Sequence, residues 1–221
     1  MLREKFCNYI RELEKEILEM GQMVITAIER SIKALKDRDI TAAKQIIADD
    51  LLVNKKRWDI EERCINLIAT QQPVASDLRE IVAILCVASE LERIGDYAEG
   101  IGKIVIMYGN QPPLKPLIDI PRMAQKAVDM LKRTLDAFLK RDAKIAMSIC
   151  NEDDDVDSLY EQVYRELLTY MIEDPTTISR ATDLIWVSHN LERIADRVTN
   201  ICERIVFLAT GTLTDIKVSR Y

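Results

Sequence analysis

The sequence predicts an all-α protein made of two tandem three-helix bundles, six long antiparallel helices arising from an internal duplication. Three observations predict it. Only 6 Gly, 6 Pro and 5% aromatics occur among 221 residues, and the bias is towards Leu, Ile, Ala, Glu, Lys and Arg, which favour helix apart from the β-branched Ile. Four of the prolines (Pro112, Pro113, Pro116, Pro121) crowd into GNQPPLKPLIDIP, which cannot be helix interior. The segments on either side of that stretch repeat each other.

The repeat is legible residue by residue. Ala34, Arg38, Asp39, Ala43, Ile46, Asp50 and Val53 recur as Ala137, Arg141, Asp142, Ala146, Ile149, Asp153 and Val156, an offset of 103. Val87, Leu91, Glu92, Arg93, Ile94, Asp96 and Ile101 recur as Val187, Leu191, Glu192, Arg193, Ile194, Asp196 and Ile201, an offset of 100. The three-residue change falls in the loops around Pro73 and Pro175, where length changes are tolerated. LERIGD and LERIAD at matching places mark a duplication. The expected organisation is a first repeat over residues 1–110, a Pro-rich linker over 111–121 and a second repeat over 122–221.

Each repeat reads as three helices. Asp39 and Asp142 are the expected N-caps opening the second helices. Asp77 with Glu80 reads as a capping box opening the third helix of the first repeat. In the third helices, Val187, Leu191, Ile194, Val198, Ile201, Ile205 and Leu208 alternate spacings of four and three, as do Val87, Leu91, Ile94, Ala98, Ile101, Val105 and Tyr108. That is the apolar seam of a packed antiparallel bundle. Gly109 and Gly211 stand where such helices end.

Charge and cysteine usage narrow the function. A net charge of −6 and a pI near 5.1 weigh against nucleic acid as the main ligand and against a basic membrane-binding face. Five scattered cysteines without a C-x-x-C pair read as reduced thiols. MLREKFCNYIREL has no apolar signal region, and no apolar run approaches the ~18 residues of a membrane span. A soluble cytoplasmic protein is the expectation.

The chemistry-bearing signal is a carboxylate pair at i and i+4, present as Glu92/Asp96 and again as Glu192/Asp196. Such a pair projects from one helix face, one turn apart, and here it points away from the seam. The second helices offer Asp153/Asp157 and, in the first repeat, Asp50/Asn54. Oxygen donors gathered from neighbouring helices can hold hard or borderline cations. The competing reading is a solvated face paired with Arg93 and Arg193. The run Glu152-Asp153-Asp154-Asp155-Val156-Asp157 also reads as an acidic helix start. With His189 as the one histidine, neither a di-iron Glu-x-x-His pair nor a zincin motif can be built. No Gly-rich phosphate loop and no G-x-S-x-G is present.

Duplicated LERIGD and LERIAD, the QQPVASDLR loop, PPLKP and a duplicated D-x-x-V-[ND] together resemble the PhoU family of phosphate-signalling regulators, over almost the whole chain. The resemblance implies two three-helix bundles, and no catalytic turnover is expected because no activated nucleophile or acid/base constellation can be assembled from these motifs. It implies an adaptor between the phosphate ABC transporter ATPase and a sensor histidine kinase, restraining uptake and the starvation response when phosphate is plentiful. A homodimer, reaching the membrane only through its partners, is part of the same expectation. So is a multinuclear iron or zinc cluster on Asp50, Asn54, Glu92, Asp96, Asp153, Asp157, Glu192 and Asp196. Asn54 departs from the carboxylate pattern, so the second repeat is the more complete site. A carboxylate-based metal-storage bundle and a metal-dependent phosphoesterase are the alternatives.

Overall fold

The computed structural model describes residues 2–212 of the chain. Helices account for its architecture: α1 (Leu2–Asp37), α2 (Ile40–Gln71), α3 (Ser76–Tyr108), α4 (Asp119–Lys140), α5 (Ala143–Cys150), α6 (Asp153–Glu173) and α7 (Ile178–Thr210), with one 3₁₀ turn at Pro175–Thr177. The described residues contain no strand. The all-α expectation holds, with the fifth helix interrupted at Asn151-Glu152 to give α5 and α6. The acidic run explains the interruption. Asp153, Asp154 and Asp155 occupy the first turn of α6, where the helix dipole favours them and where mid-helix they would repel.

Local signals place most boundaries. The Asp39 side chain accepts the Ala42 N–H at 2.9 Å, and Asp142 accepts those of Lys144 and Ile145 at 3.0 and 3.1 Å. Gly109 (φ +62°) and Gly211 (φ +77°) close α3 and α7 in conformations that L-residues avoid. The capping box does not form. Ala75 is the N-cap of α3 without a side-chain bond, and Asp77 lies inside the first turn. Glu80 is instead drawn to Arg141, 2.7 Å away. The segment joining the halves runs over residues 109–118, because Pro121 fits the first turn of α4, where its missing N–H costs nothing.

Both seams are buried, apart from half-exposed Leu208 at the end of α7. One continuous hydrophobic cluster runs through the two halves. They meet along α3 and α7, which pack antiparallel. Glu90 Oε2 lies 3.3 Å from Asn200 Nδ2 and 3.5 Å from an Arg197 nitrogen. Ten residues further along α3, a Cβ on Gly100 would touch Asn190 Nδ2 at 3.2 Å. Those contacts exchange under the 100-residue offset, as a two-fold relation between halves requires. Near that pseudo-axis Lys132 Nζ meets Glu29 Oε1 at 3.2 Å, two equivalent positions facing each other between α4 and α1. Cys64, Cys150 and Cys202 are buried free thiols, Cys86 is half-buried and Cys7 exposed.

Candidate metal-binding acidic faces

The duplicated carboxylates come together in pairs of helices. In the first half α2 brings Asp50 and Asn54 against Glu92 and Asp96 of α3. Asp50 reaches across to the backbone of α3, where a Cβ on Gly95 would lie 3.2 Å from its Oδ1. Asn54 Nδ2 donates to Asp50 Oδ2 at 2.8 Å. Asn54 thus supports Asp50 where its counterpart Asp157 adds a charge. Burial pushes the Asp50 carboxyl up to about 6, and the charges of Asp96, Glu99 and Glu92 push the same way against the Asn54 bond. Glu92 and Asp96 are also raised, by burial first, then by Asp96 and Glu99 respectively.

Glu99 is a member that the motif did not include. It falls on the stripe 92, 96, 99, so helical spacing carried the signal. Its carboxylate is held by Lys103 at 2.6 Å. Glu99 and Asp50 line a cavity of about 340 Å³ between α1, α2 and α3, with Met23, Arg30, Asp49 and Gly95.

In the second half α6 supplies Asp153 and Asp157, and α7 supplies Glu192 and Asp196. These acids do avoid the seam, and two of them are withdrawn from solvent while Asp157 and Asp196 stay partly exposed. Asp153 is 4% exposed and the Glu192 side chain 13%. They sit in the crease between the helices. Burial raises the Glu192 carboxyl to about 7, with Asp196, Asp157 and Asp153 adding repulsion and Arg193 opposing it. Glu192 Oε2 is buried without a hydrogen-bond donor. Arg193 lies 3.0 Å from Asp196 Oδ2 and 3.5 Å from Glu192 Oε2, so the expected local arginine is present in the cluster and does not saturate it. His189 Nδ1 is 3.6 Å from Glu192 Oε2, and burial holds its pKa below the ordinary value, so the imidazole is neutral at pH 7.

A further pair flanks each face. Arg30 reaches Asp49 at 2.5 Å, and its equivalent Arg133 reaches Glu152 at 2.5 Å. Sequence reading missed both, although each partner recurs at the 103 offset beside Asp50 and Asp153.

The donor chemistry fits a divalent cation. All motif donors are oxygens, and Glu192 Oε2 is a buried acceptor that a cation would satisfy. As the side chains stand, no three His, Cys, Asp or Glu among the described residues converge to hold a metal ion.

Two three-helix halves related by an internal two-fold correspond to a known domain present twice in tandem. The PhoU domain matches this chain twice, over residues 17–105 and 120–205. The chain therefore belongs to the PhoU family. It is 38% identical to the phosphate-specific transport system accessory protein PhoU homolog of Clostridium acetobutylicum, covering 98% of this chain and 99% of that one. The Aquifex aeolicus homolog of the same name is 37% identical, with 95% of each chain covered. Crystal structures of PhoU from Pseudomonas aeruginosa and of the regulatory PhoU from Streptococcus pneumoniae both superpose with a TM-score of 0.89, at 35% and 33% identity. They cover 94% and 95% of this chain, and 100% and 99% of their own chains.

Proposed function

We propose that the chain is an accessory regulator of phosphate uptake, restraining the transporter and silencing the phosphate-starvation response when phosphate is plentiful. End-to-end similarity to proteins named for that accessory role carries this reading. In this reading it works on the cytoplasmic side, docking to the transporter ATPase and to a sensor histidine kinase, as a homodimer and without turnover. The described helices include none long and apolar enough to cross a membrane, in keeping with contact through partners. Deletion should derepress starvation genes in phosphate-rich medium, and the tagged chain should retain the ATPase and the kinase on affinity purification. Unchanged expression together with neither partner retained would overturn it.

We further propose that the acidic creases bind iron or zinc, the second half more tightly. The buried donorless Oε2 of Glu192 and the mutual repulsion of Asp153, Asp157, Glu192 and Asp196 support this reading, because a divalent ion relieves both. Replacing Glu192 and Asp196 by Ala should abolish metal in that half and leave the helical content unchanged. Elemental analysis of protein purified without chelator checks it, and the absence of both metals with binding no tighter than about millimolar would defeat it.

A further inference from the structure

We propose that the corner where the inter-repeat segment meets the C-terminal end of α1 and the start of α7 is a pocket for a small organic anion. The pocket is revealed by comparing one structural corner with its duplicate. Arg38 and Arg141 are equivalent residues, each following the first helix of its half at positive φ, +56° and +52°. Arg141 is neutralised there. Its guanidinium lies 2.7 Å from Glu80 Oε1 and 3.4 Å from Glu14 Oε1.

At the duplicate corner both acids are gone. The position equivalent to Glu80 in α7 is Arg180, and the position equivalent to Glu14 is Leu117, which precedes α4. A corner in which two carboxylates answer Arg141 has become one in which Arg38 and Arg180 stand without either. Arg38 and Arg180 donate instead to neutral carbonyls of the connecting segment, Arg38 to Gln111 O at 3.5 Å and Arg180 to Pro112 O at 3.2 Å. That segment is pinned by the Tyr108 hydroxyl, which accepts the Leu114 N–H at 3.1 Å.

A cavity of about 360 Å³ opens at this place. Lys36, Arg38 and Lys115 line it with Leu35, Leu114 and Leu184, and Arg180 stands one turn before Leu184. Lys115 is buried and spends its charge on Glu166. Of the other acids nearby, Asp183, next to Leu184 on α7, has its carboxyl raised by burial, and the rest are committed. Asp37 pairs with Lys33, Asp39 caps α2, and Asp174, which feels the charge of Arg180, is held by Thr176. Among the described residues, Lys36, Arg38 and Arg180 meet no carboxylate at ion-pair distance. Lys36 and Arg38 in the lining, with Arg180 on the carbonyl next to the one Arg38 holds, set positive charge beside apolar walls, which select an anionic head on an apolar body, a carboxylate, sulfonate or phosphate ester, over a bare inorganic ion.

The probe is 8-anilinonaphthalene-1-sulfonate, titrated by fluorescence into the full chain, with neutral N-phenyl-1-naphthylamine as its uncharged twin. One saturable sulfonate site is expected. Arg38→Gln with Arg180→Gln should weaken the sulfonate by about tenfold, the scale of lost charge-assisted contacts, and leave the neutral dye unaffected. Arg141→Gln, at the compensated corner, should leave both dyes unchanged, and Arg38→Lys with Arg180→Lys should retain sulfonate binding. Circular dichroism of each variant establishes folding. Sulfonate affinity within about twofold of wild type in the double Gln variant, or an equal loss in Arg141→Gln, would overturn the proposal.

Discussion

Glu192 combines burial with crowding by like charge, and that has a thermodynamic consequence. Its folded-state pKa, about 7, lies above the ordinary 4.5. Between those values the folded chain holds more protons than the unfolded one, so stability falls as pH rises through that window. Chelator-treated protein should therefore melt at a higher temperature at pH 6 than at pH 8. Asp50, raised to about 6, contributes in the same direction at the lower end of the range. Glu192→Gln removes the buried charge and should stabilise metal-free protein at pH 8 by on the order of 1 kcal/mol while flattening the slope. A slope that is unchanged in the variant would place the titration elsewhere. The acids were readable because helical spacing repeats them. Their burial was not, because it depends on how α6 lies against α7. Glu99 was available to the same stripe argument, but its counterpart is Thr199, so the duplication did not highlight it.

At the level of the element, the most legible features were those decided by neighbours in sequence. Asp39 and Asp142 cap α2 and α5 with bonds to N–H groups two or three residues ahead. Replacing either by Ala should cost about 1 kcal/mol in thermal or urea unfolding, with the loss at Asp142 at least as large because it accepts two donors. Equal stability to wild type would mean that water substitutes for the cap. Features decided by a distant partner were not legible. Asp77 and Glu80 have capping-box spacing, yet Glu80 is used by Arg141, 61 residues away. The break before α6 had its signal in the acidic run, in competition with the expectation of one long helix. In the first half the matching positions are Ala48 and Asp49 within continuous α2. Asn151 in place of Ala48 and a first turn of three aspartates tip the second copy towards restarting.

The whole molecule is a duplicated unit folded back on itself, and its pseudo-axis is where the two copies had to diverge. The repeat offsets were plain in the sequence, but an apolar seam does not name its partner, so the antiparallel α3–α7 contact was not. On a true two-fold, equivalent residues face themselves, and an acid there would meet an acid. In this chain Glu29 meets Lys132, its equivalent at the 103 offset, across α1 and α4. Duplication within one chain permits that opposite-charge pairing where a homodimer of identical repeats could not. Both side chains are about half exposed, 53% and 48%, so the direct gain is small. Lys132→Glu recreates the symmetric clash and should cost about 0.5–1 kcal/mol at low ionic strength. Adding Glu29→Lys restores opposite charges in reversed order and should recover most of the loss. In about 1 M salt, where the screening length falls to roughly 3 Å, the single variant should approach wild type. A double-mutant cycle from urea melts measures the coupling directly. If the second substitution recovers nothing, the pair does not act across the axis, and the halves are held by the α3–α7 contact, their shared core and the Arg141 pairs to Glu14 and Glu80.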